Sequence, residues 1–242
     1  MPPLWLTPWE TSLNHFVIHR TTHGSLIFAL SALRILIESS MRKVAIVNGI
    51  VNQVKYNQHL AKKYEALGYA AKEFSFPFAL LFRCEQHHQL EDALQQIVSE
   101  HDVIHCQSGG CLPVLHHYYD RQHTKPFILE TPVLRSSTGT LFSAMGWSKS
   151  YDSAPDLKVV QKLLDTFCFT PEWKESTLQR LGHLKERRLI LRLGSTADNV
   201  SDNRGLEHLL DHHLDKGKHA RLFYENDFDL VEAFLRSHPH HK

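Results

Sequence analysis

The chain has 242 residues, enough for one domain of ordinary size or one domain plus a lid or arm. With 42% hydrophobic and 22% charged residues it has the balance of a folded globular protein, not a disordered one. A formal net charge of +1, with lysines and arginines scattered singly or in pairs, excludes nucleic acid as the main partner on electrostatic grounds.

Residues 1–40 differ in character from the rest of the chain. Their apolar run, Leu26 to Ile37, is about a dozen residues and contains Arg34, too short for an integral membrane span of about twenty. It has neither the basic start nor the small-residue cleavage site of a signal peptide. The segment reads as an N-terminal extension or as a leading hairpin, and "MRKVAIVNG" from Met41 looks like the start of a domain covering residues 41–242.

From Lys43 onward strands and helices alternate. "KVAIVNG" is a buried strand stopped by Asn-Gly. "YNQHLAKKYEALGY" spaces Leu60, Tyr64 and Leu67 as a helix face and ends at Gly68. "AAKEFSFPF" reads as a second strand and "LEDALQQIVSE" as a helix. "DVIHC" is a third strand, "CLPVLHHYYD" a helix and "KPFILETPV" a fourth strand. After an interruption, "RRLILRLGST" gives a fifth strand and "GLEHLLDHHLDKG" a helix. "ARLFYEN" then reads as a sixth strand and "DLVEAFLRS" as a last helix. Such alternation means crossover units, hence an α/β class with a mostly parallel central sheet and helices on both faces. The interruption, about 135–185, carries helical patterns and reads as a helical cap insertion.

Four cysteines, Cys84, Cys106, Cys111 and Cys168, form no CxxC pair. They read as free thiols of a reducing, cytoplasmic setting. The 19 histidines come largely as pairs, and neighbours on a helix point about 100° apart and cannot share a metal. His208 and His212 have the i, i+4 spacing of zinc ligands but lack the glutamate of H-E-x-x-H. No metal is expected.

In sheets of this class, sites form at the carboxyl ends of the strands. There "DVIHC" runs into Cys106-Gln107-Ser108-Gly109-Gly110 and then a helix. A nucleophile elbow needs this strand–turn–helix context, with small residues two before and two after its serine. Ser108 is therefore the candidate nucleophile. Asp198, in the polar loop after the fifth strand, is the candidate acid, with Asp202 as its rival. Backbone N–H groups of Gly109 and of the "NGIVNQ" loop, at Ile50 or Val51, would form an oxyanion hole. Phe76, Phe78, Leu134, Phe142, Met145 and Trp147 could line an apolar acyl or aryl site. "VNGIVNQ" has one glycine, which leaves little support for dinucleotide binding.

These residues resemble the α/β-hydrolase fold from Val44 to Leu235, and within it the chain is similar to the transmembrane protein 53 family. The resemblance rests on "HLAKKYEALGY", on "FSFPF", on the serine turn His105 to Gly110 and on Ser195-Thr196-Ala197-Asp198-Asn199-Val200. That family's serine turn reads H-x-x-S-N-G-G, one residue longer after the serine. The resemblance implies a serine-hydrolase fold without implying a substrate.

The resemblance departs at the base. In "FYENDFDLVEAFL" Asn226 stands where a histidine is expected after the last predicted strand, and asparagine cannot relay a proton. His219 precedes that predicted strand, at the wrong end of the sheet. His238, His240 and His241 lie beyond a helix. His87 and His88, in the loop after the second strand, are the replacement candidates. Two functions are compatible with this pattern. One is a serine hydrolase acting on a small ester, thioester or amide with an unconventional base and no cofactor. The other is an inactive hydrolase-fold protein acting as a ligand-binding or interaction module.

Overall fold

A computed structural model describes residues 41–50, 53–75, 87–134, 171–195, 198, 200–201 and 207–238. The chain divides after Met41, and the sheet and its helices belong to the unit Arg42–Lys242. The readings of residues 1–40 and of most of the insertion lie outside the described residues. So do Asp202, Phe76, Phe78, Phe142, Met145 and Trp147.

Six strands form one sheet: β1 (Arg42–Val47), β2 (Tyr69–Phe74), β3 (Val103–Gln107), β4 (Phe127–Glu130), β5 (Ile190–Ser195) and β6 (His212–Leu214). Their order is β2-β1-β3-β4-β5-β6 and every pairing is parallel. Among the described residues the α-helices are α1 (Val54–Ala66), α2 (His87–Ser99), α3 (Cys111–Asp120), α4 (Pro171–Glu186) and α5 (Asp229–Arg236).

Strand side chains alternate between two separate apolar clusters, because successive Cβ atoms point to opposite faces. Ala45, Val47, Ile104, Cys106, Phe127 and Leu129 meet Leu94, Val98, Leu115, Leu181 and Leu184 from α2, α3 and α4. Val44, Ile46, Val103, Ile128, Leu191 and Leu193 meet Tyr56, Leu60, Tyr64, Val231 and Leu235 from α1 and α5. Each fully buried Leu, Ile or Val contributes about 1.5–3 kcal/mol. Two such layers explain why β1, β3 and β4 read as unbroken apolar runs. Leu181 and Leu184 place α4, the end of the expected insertion, against the sheet as the crossover helix into β5.

The last part of the chain departs from its sequence reading. "DHHLD" is the short edge strand β6, paired Leu193↔His212 to Ser195↔Leu214, where a helix was expected. "ARLFYEN" was expected to be a strand, yet Leu222–Tyr224 is one 3-10 turn. The cause is where its backbone donors go. Ala220 N–H donates to Thr131 Oγ1 at 2.7 Å, Leu222 N–H to Glu130 Oε1 at 2.9 Å, and Phe223 N–H to the Tyr56 hydroxyl at 3.2 Å. Buried side chains from β4 and α1 take the bonds that a neighbouring strand would have taken.

The chain passes from β1 outward to β2, then crosses back to β3 on the other side of β1. The order therefore reverses between β1 and β3, and open α/β sheets bind ligands at the strand ends beside such a switch point. Gly49 follows β1 there and Ser108 follows β3.

Candidate active site

β3 ends extended at Gln107, with φ −118° and ψ 139°. Ser108 then takes φ 51°, Gly109 and Gly110 complete a 3-10 turn, and α3 begins at Cys111. A left-handed φ at a non-glycine residue costs about 1–3 kcal/mol and persists only where the surroundings over-determine it.

Here the constraint is the loop after β1. A Cβ on Gly49 would lie 2.8 Å from the Ser108 Cβ and 3.2 Å from its Oγ; one on Gly110 would lie 2.3 Å from the Asn48 carbonyl oxygen. Only glycine at both places lets the two turns pack. Asn48 is held by its N–H to Phe74 O at 2.9 Å and by Asn57 Nδ2, which donates to Asn48 Oδ1.

The Ser108 Oγ lies 2.6 Å from His219 Nε2, and His219 Nδ1 lies 2.8 Å from Asp198 Oδ2. Ser108 is 5% exposed and His219 3%. The other Asp198 oxygen, Oδ1, accepts the N–H groups of Val200 and Ser201 at 2.8 and 3.0 Å. Burial pushes the Asp198 carboxyl up, but the His219 ring and these two N–H groups outweigh it and hold the group below its ordinary value. A carboxylate only accepts, so His219 Nδ1 carries the hydrogen and Nε2 is left to accept from the Ser108 hydroxyl.

The histidine beside Ser108 is His219, where the sequence reading has Asn226 at the histidine position and His87 and His88 as replacements. Because the sheet ends at His212–Leu214 and not at Ala220–Asn226, His219 follows the last strand and stands at the carboxyl end of the sheet. Asn226 does not occupy the histidine position. Its Nδ2 donates to Lys216 O at 2.7 Å and Leu222 O at 2.6 Å, closing the loop that carries His219. Gly217 in that loop takes φ 97°, and its carbonyl accepts the Ser195 hydroxyl at 2.6 Å.

His87 and His88 open α2, where His88 is exposed; the ring that meets Ser108 is His219. The segment Gly217-Lys218-His219-Ala220-Arg221-Leu222-Phe223 carries a glycine two before the histidine and a buried aromatic four after it. That pattern could have flagged the base.

Of the other expected residues, Gly109 is buried beside Ser108 and Ile50 is partly buried on the loop after β1. Leu134 is buried in the core cluster. Cys106 and Cys111 are free and buried, and burial pushes both thiols well up, which leaves them inert as nucleophiles. His208 lies in a 3-10 turn and His212 in β6, so they share no helix face. Among the described residues no cluster of three or more His, Cys, Asp or Glu could hold a metal ion, and no helix is long and apolar enough to cross a membrane.

No family model and no curated protein sequence matches the chain. Solved structures do resemble it. An α/β-hydrolase enzyme, MGS-MChE2, from the metagenome of lagoon sediments at Mar Chica, Morocco, superposes with a TM-score of 0.53 at 14% identity, covering 82% of this chain and 92% of that one. The Pyrococcus furiosus esterase Pf2001 superposes with a TM-score of 0.50 at 12% identity, covering 83% and 82%. At these identities the likeness concerns the fold, and with the six-stranded parallel sheet it shows that the chain has an α/β-hydrolase-like fold.

Proposed function

We propose that this protein is a serine hydrolase acting on an ester, thioester or amide, with Ser108 as nucleophile, His219 as general base and Asp198 orienting the base. The observation that carries this reading is the 2.6 Å contact between Ser108 Oγ and His219 Nε2, with His219 Nδ1 on Asp198. The order serine, acid, histidine along the chain is that of elbow hydrolases.

In this reading the Ser108 Oγ attacks the substrate carbonyl carbon while its proton passes to Nε2. The carbonyl π electrons move to oxygen, where the N–H groups of Gly109 and of the loop after β1 would receive the charge. The Asn48 N–H already serves Phe74 O, so the donor from that loop comes after it, at Ile50 or at Val51, which lies outside the described residues. Collapse expels the leaving group with the proton from Nε2, and water repeats the cycle on the acyl-serine. No step calls for a cofactor. The likeness to the transmembrane protein 53 family, resting on the serine turn and acid loop, and the cytoplasmic setting read from free cysteines belong to this proposal. The reading as an inactive module rested on Asn226 replacing the base, and His219 removes that ground.

The test is fluorophosphonate labelling of the purified chain and hydrolysis of short-chain p-nitrophenyl esters, beside Ser108→Ala and His219→Ala. Labelling abolished by the first and reduced at least ~10³-fold by the second is expected. Labelling untouched by His219→Ala would remove the base from the scheme.

A further inference from the structure

Beneath the sheet, on the face opposite α3, lies a buried polar network apart from the hydrogen bonds that join Ser108, His219 and Asp198. Its centre is Glu130, the last residue of β4, fully buried. Glu130 Oε1 accepts the Tyr56 hydroxyl at 2.5 Å and the Leu222 N–H at 2.9 Å. Glu130 Oε2 lies 3.0 Å from His105 Nε2, and His105 Nδ1 lies 2.7 Å from the Tyr64 hydroxyl. Burial, and then the charge of Glu130, pushes the Tyr56 hydroxyl well up, so it stays a donor.

A buried carboxylate is costly unless every oxygen is served. Here one of the donors is the main chain three residues after His219. The next residue, Thr131, adds a second hold: its hydroxyl accepts the N–H of Ala220, the residue directly after His219. Thr131 and Ala220 both take left-handed φ values, 45° and 48°. Neither is glycine, so each conformation must be imposed from outside. The Thr131 N–H is pinned to Leu193 O at 2.7 Å, which ties the whole arrangement to β5.

We propose that Glu130 and Thr131 are positioning residues for His219: from the end of β4 they grip the backbone at Ala220 and Leu222 and so aim the imidazole at Ser108. The inference rests on His219 acting as the base. It extends that reading to two residues that touch no reacting atom. Sheet and base are thereby coupled without a strand between them, and a base held loosely would miss the serine. Displacement of a catalytic group by about 1 Å can lower a rate about 100-fold.

The test uses the full chain with Glu130→Gln, Thr131→Val and Thr131→Ser. Three quantities are read: the rate constant for fluorophosphonate labelling, kcat and KM for a p-nitrophenyl ester, and the far-downfield NMR resonance of the proton between His219 and Asp198. Expected are losses of about 10- to 100-fold in labelling and kcat for Glu130→Gln and Thr131→Val, with KM little changed. The downfield resonance should shift or broaden in both, and Thr131→Ser, which keeps the hydroxyl, should restore rate and resonance. A lowered melting temperature with wild-type rate and resonance would show a purely structural role and overturn the proposal. Should Glu130→Gln not fold, Thr131→Val decides alone, since it deletes one acceptor from the same loop. Should the wild type itself resist labelling, the hydrolase reading fails, and the resonance still decides whether these two residues aim His219.

Discussion

Replacing Gly110 by alanine sets local preference against a specific contact. Gly110 has helical backbone angles, φ −67° and ψ −19°, and on that ground alone alanine would be favoured by up to about 1 kcal/mol. The new Cβ, however, would sit 2.3 Å from the Asn48 carbonyl oxygen, where Cβ contacts under 3.0 Å are essentially never seen. The loop would have to retreat by at least about 0.7 Å. It cannot do so freely, because the Asn48 N–H is bonded to Phe74 O and its side chain to Asn57. Overpacking of this kind costs about 1–3 kcal/mol, so Gly110→Ala should be net destabilised by up to about 2 kcal/mol. The same retreat would lift Gly49 from Ser108 and disturb the serine turn, lowering labelling about 10- to 100-fold. The control is Gly182→Ala: it lies inside α4, a Cβ there meets nothing within 4 Å, and the chain should gain about 1 kcal/mol from helix propensity. Urea unfolding and labelling rates on both variants give the answer. If Gly110→Ala were as stable as Gly182→Ala and labelled at the wild-type rate, the close packing of the two turns would be refuted.

Asp198→Asn should keep Oδ1 on the N–H groups of Val200 and Ser201 and turn its amide toward His219. The ring must then accept at Nδ1 and carry its hydrogen on Nε2, where it can no longer take the serine proton. Labelling should fall about 10³- to 10⁴-fold with little loss of stability. His116 gives a pH prediction. It is buried against Thr177, with Nε2 2.7 Å from Oγ1, and burial, then the charge of Arg180 against that of Asp120, holds its imidazole down at about 3. The unfolded chain takes up a proton below about 6.5 that the folded chain refuses, so this contribution is complete above pH ~6.5 and is lost as pH falls toward ~3. From pH ~7 to ~5 the loss should be about 2 kcal/mol by urea unfolding. In His116→Gln that part of the slope should vanish; an unchanged slope would contradict the assignment.

The sheet through β5, its flanking helices and the Ser108 turn were legible because each is a local pattern. Val44 to Val47 and Val103 to Gln107 are short buried runs, and Ser108 sits between a strand and two glycines. Asp198 was legible from its place after a strand. His219 was not, and the reason is that nothing local marks β6. It is three residues long, two of them exposed histidines, and has no apolar alternation. By contrast Ala220 to Tyr224 has strand-like composition, and its backbone bonds run to Glu130, Thr131 and Tyr56. Residues about 90 to 170 positions away decide that segment's conformation. Fixing the last strand one element too late moved His219 to the wrong end of the sheet and gave Asn226 a place it does not hold.

The contact between Ser108 and His219 spans 111 positions, and the one between His219 and Asp198 spans 21. Ser108 belongs to the early half of the sheet, β1 to β3, while His219 arrives only when β5 and β6 have joined. Loop closure costs more as the loop lengthens, so this contact is expected to close after the shorter-range pairings. A refolding chain should therefore regain far-ultraviolet ellipticity before its serine can be labelled. On the proposed reading, probe reactivity then reports the arrival of His219 at Ser108, an event that the recovery of helix and sheet does not register by itself.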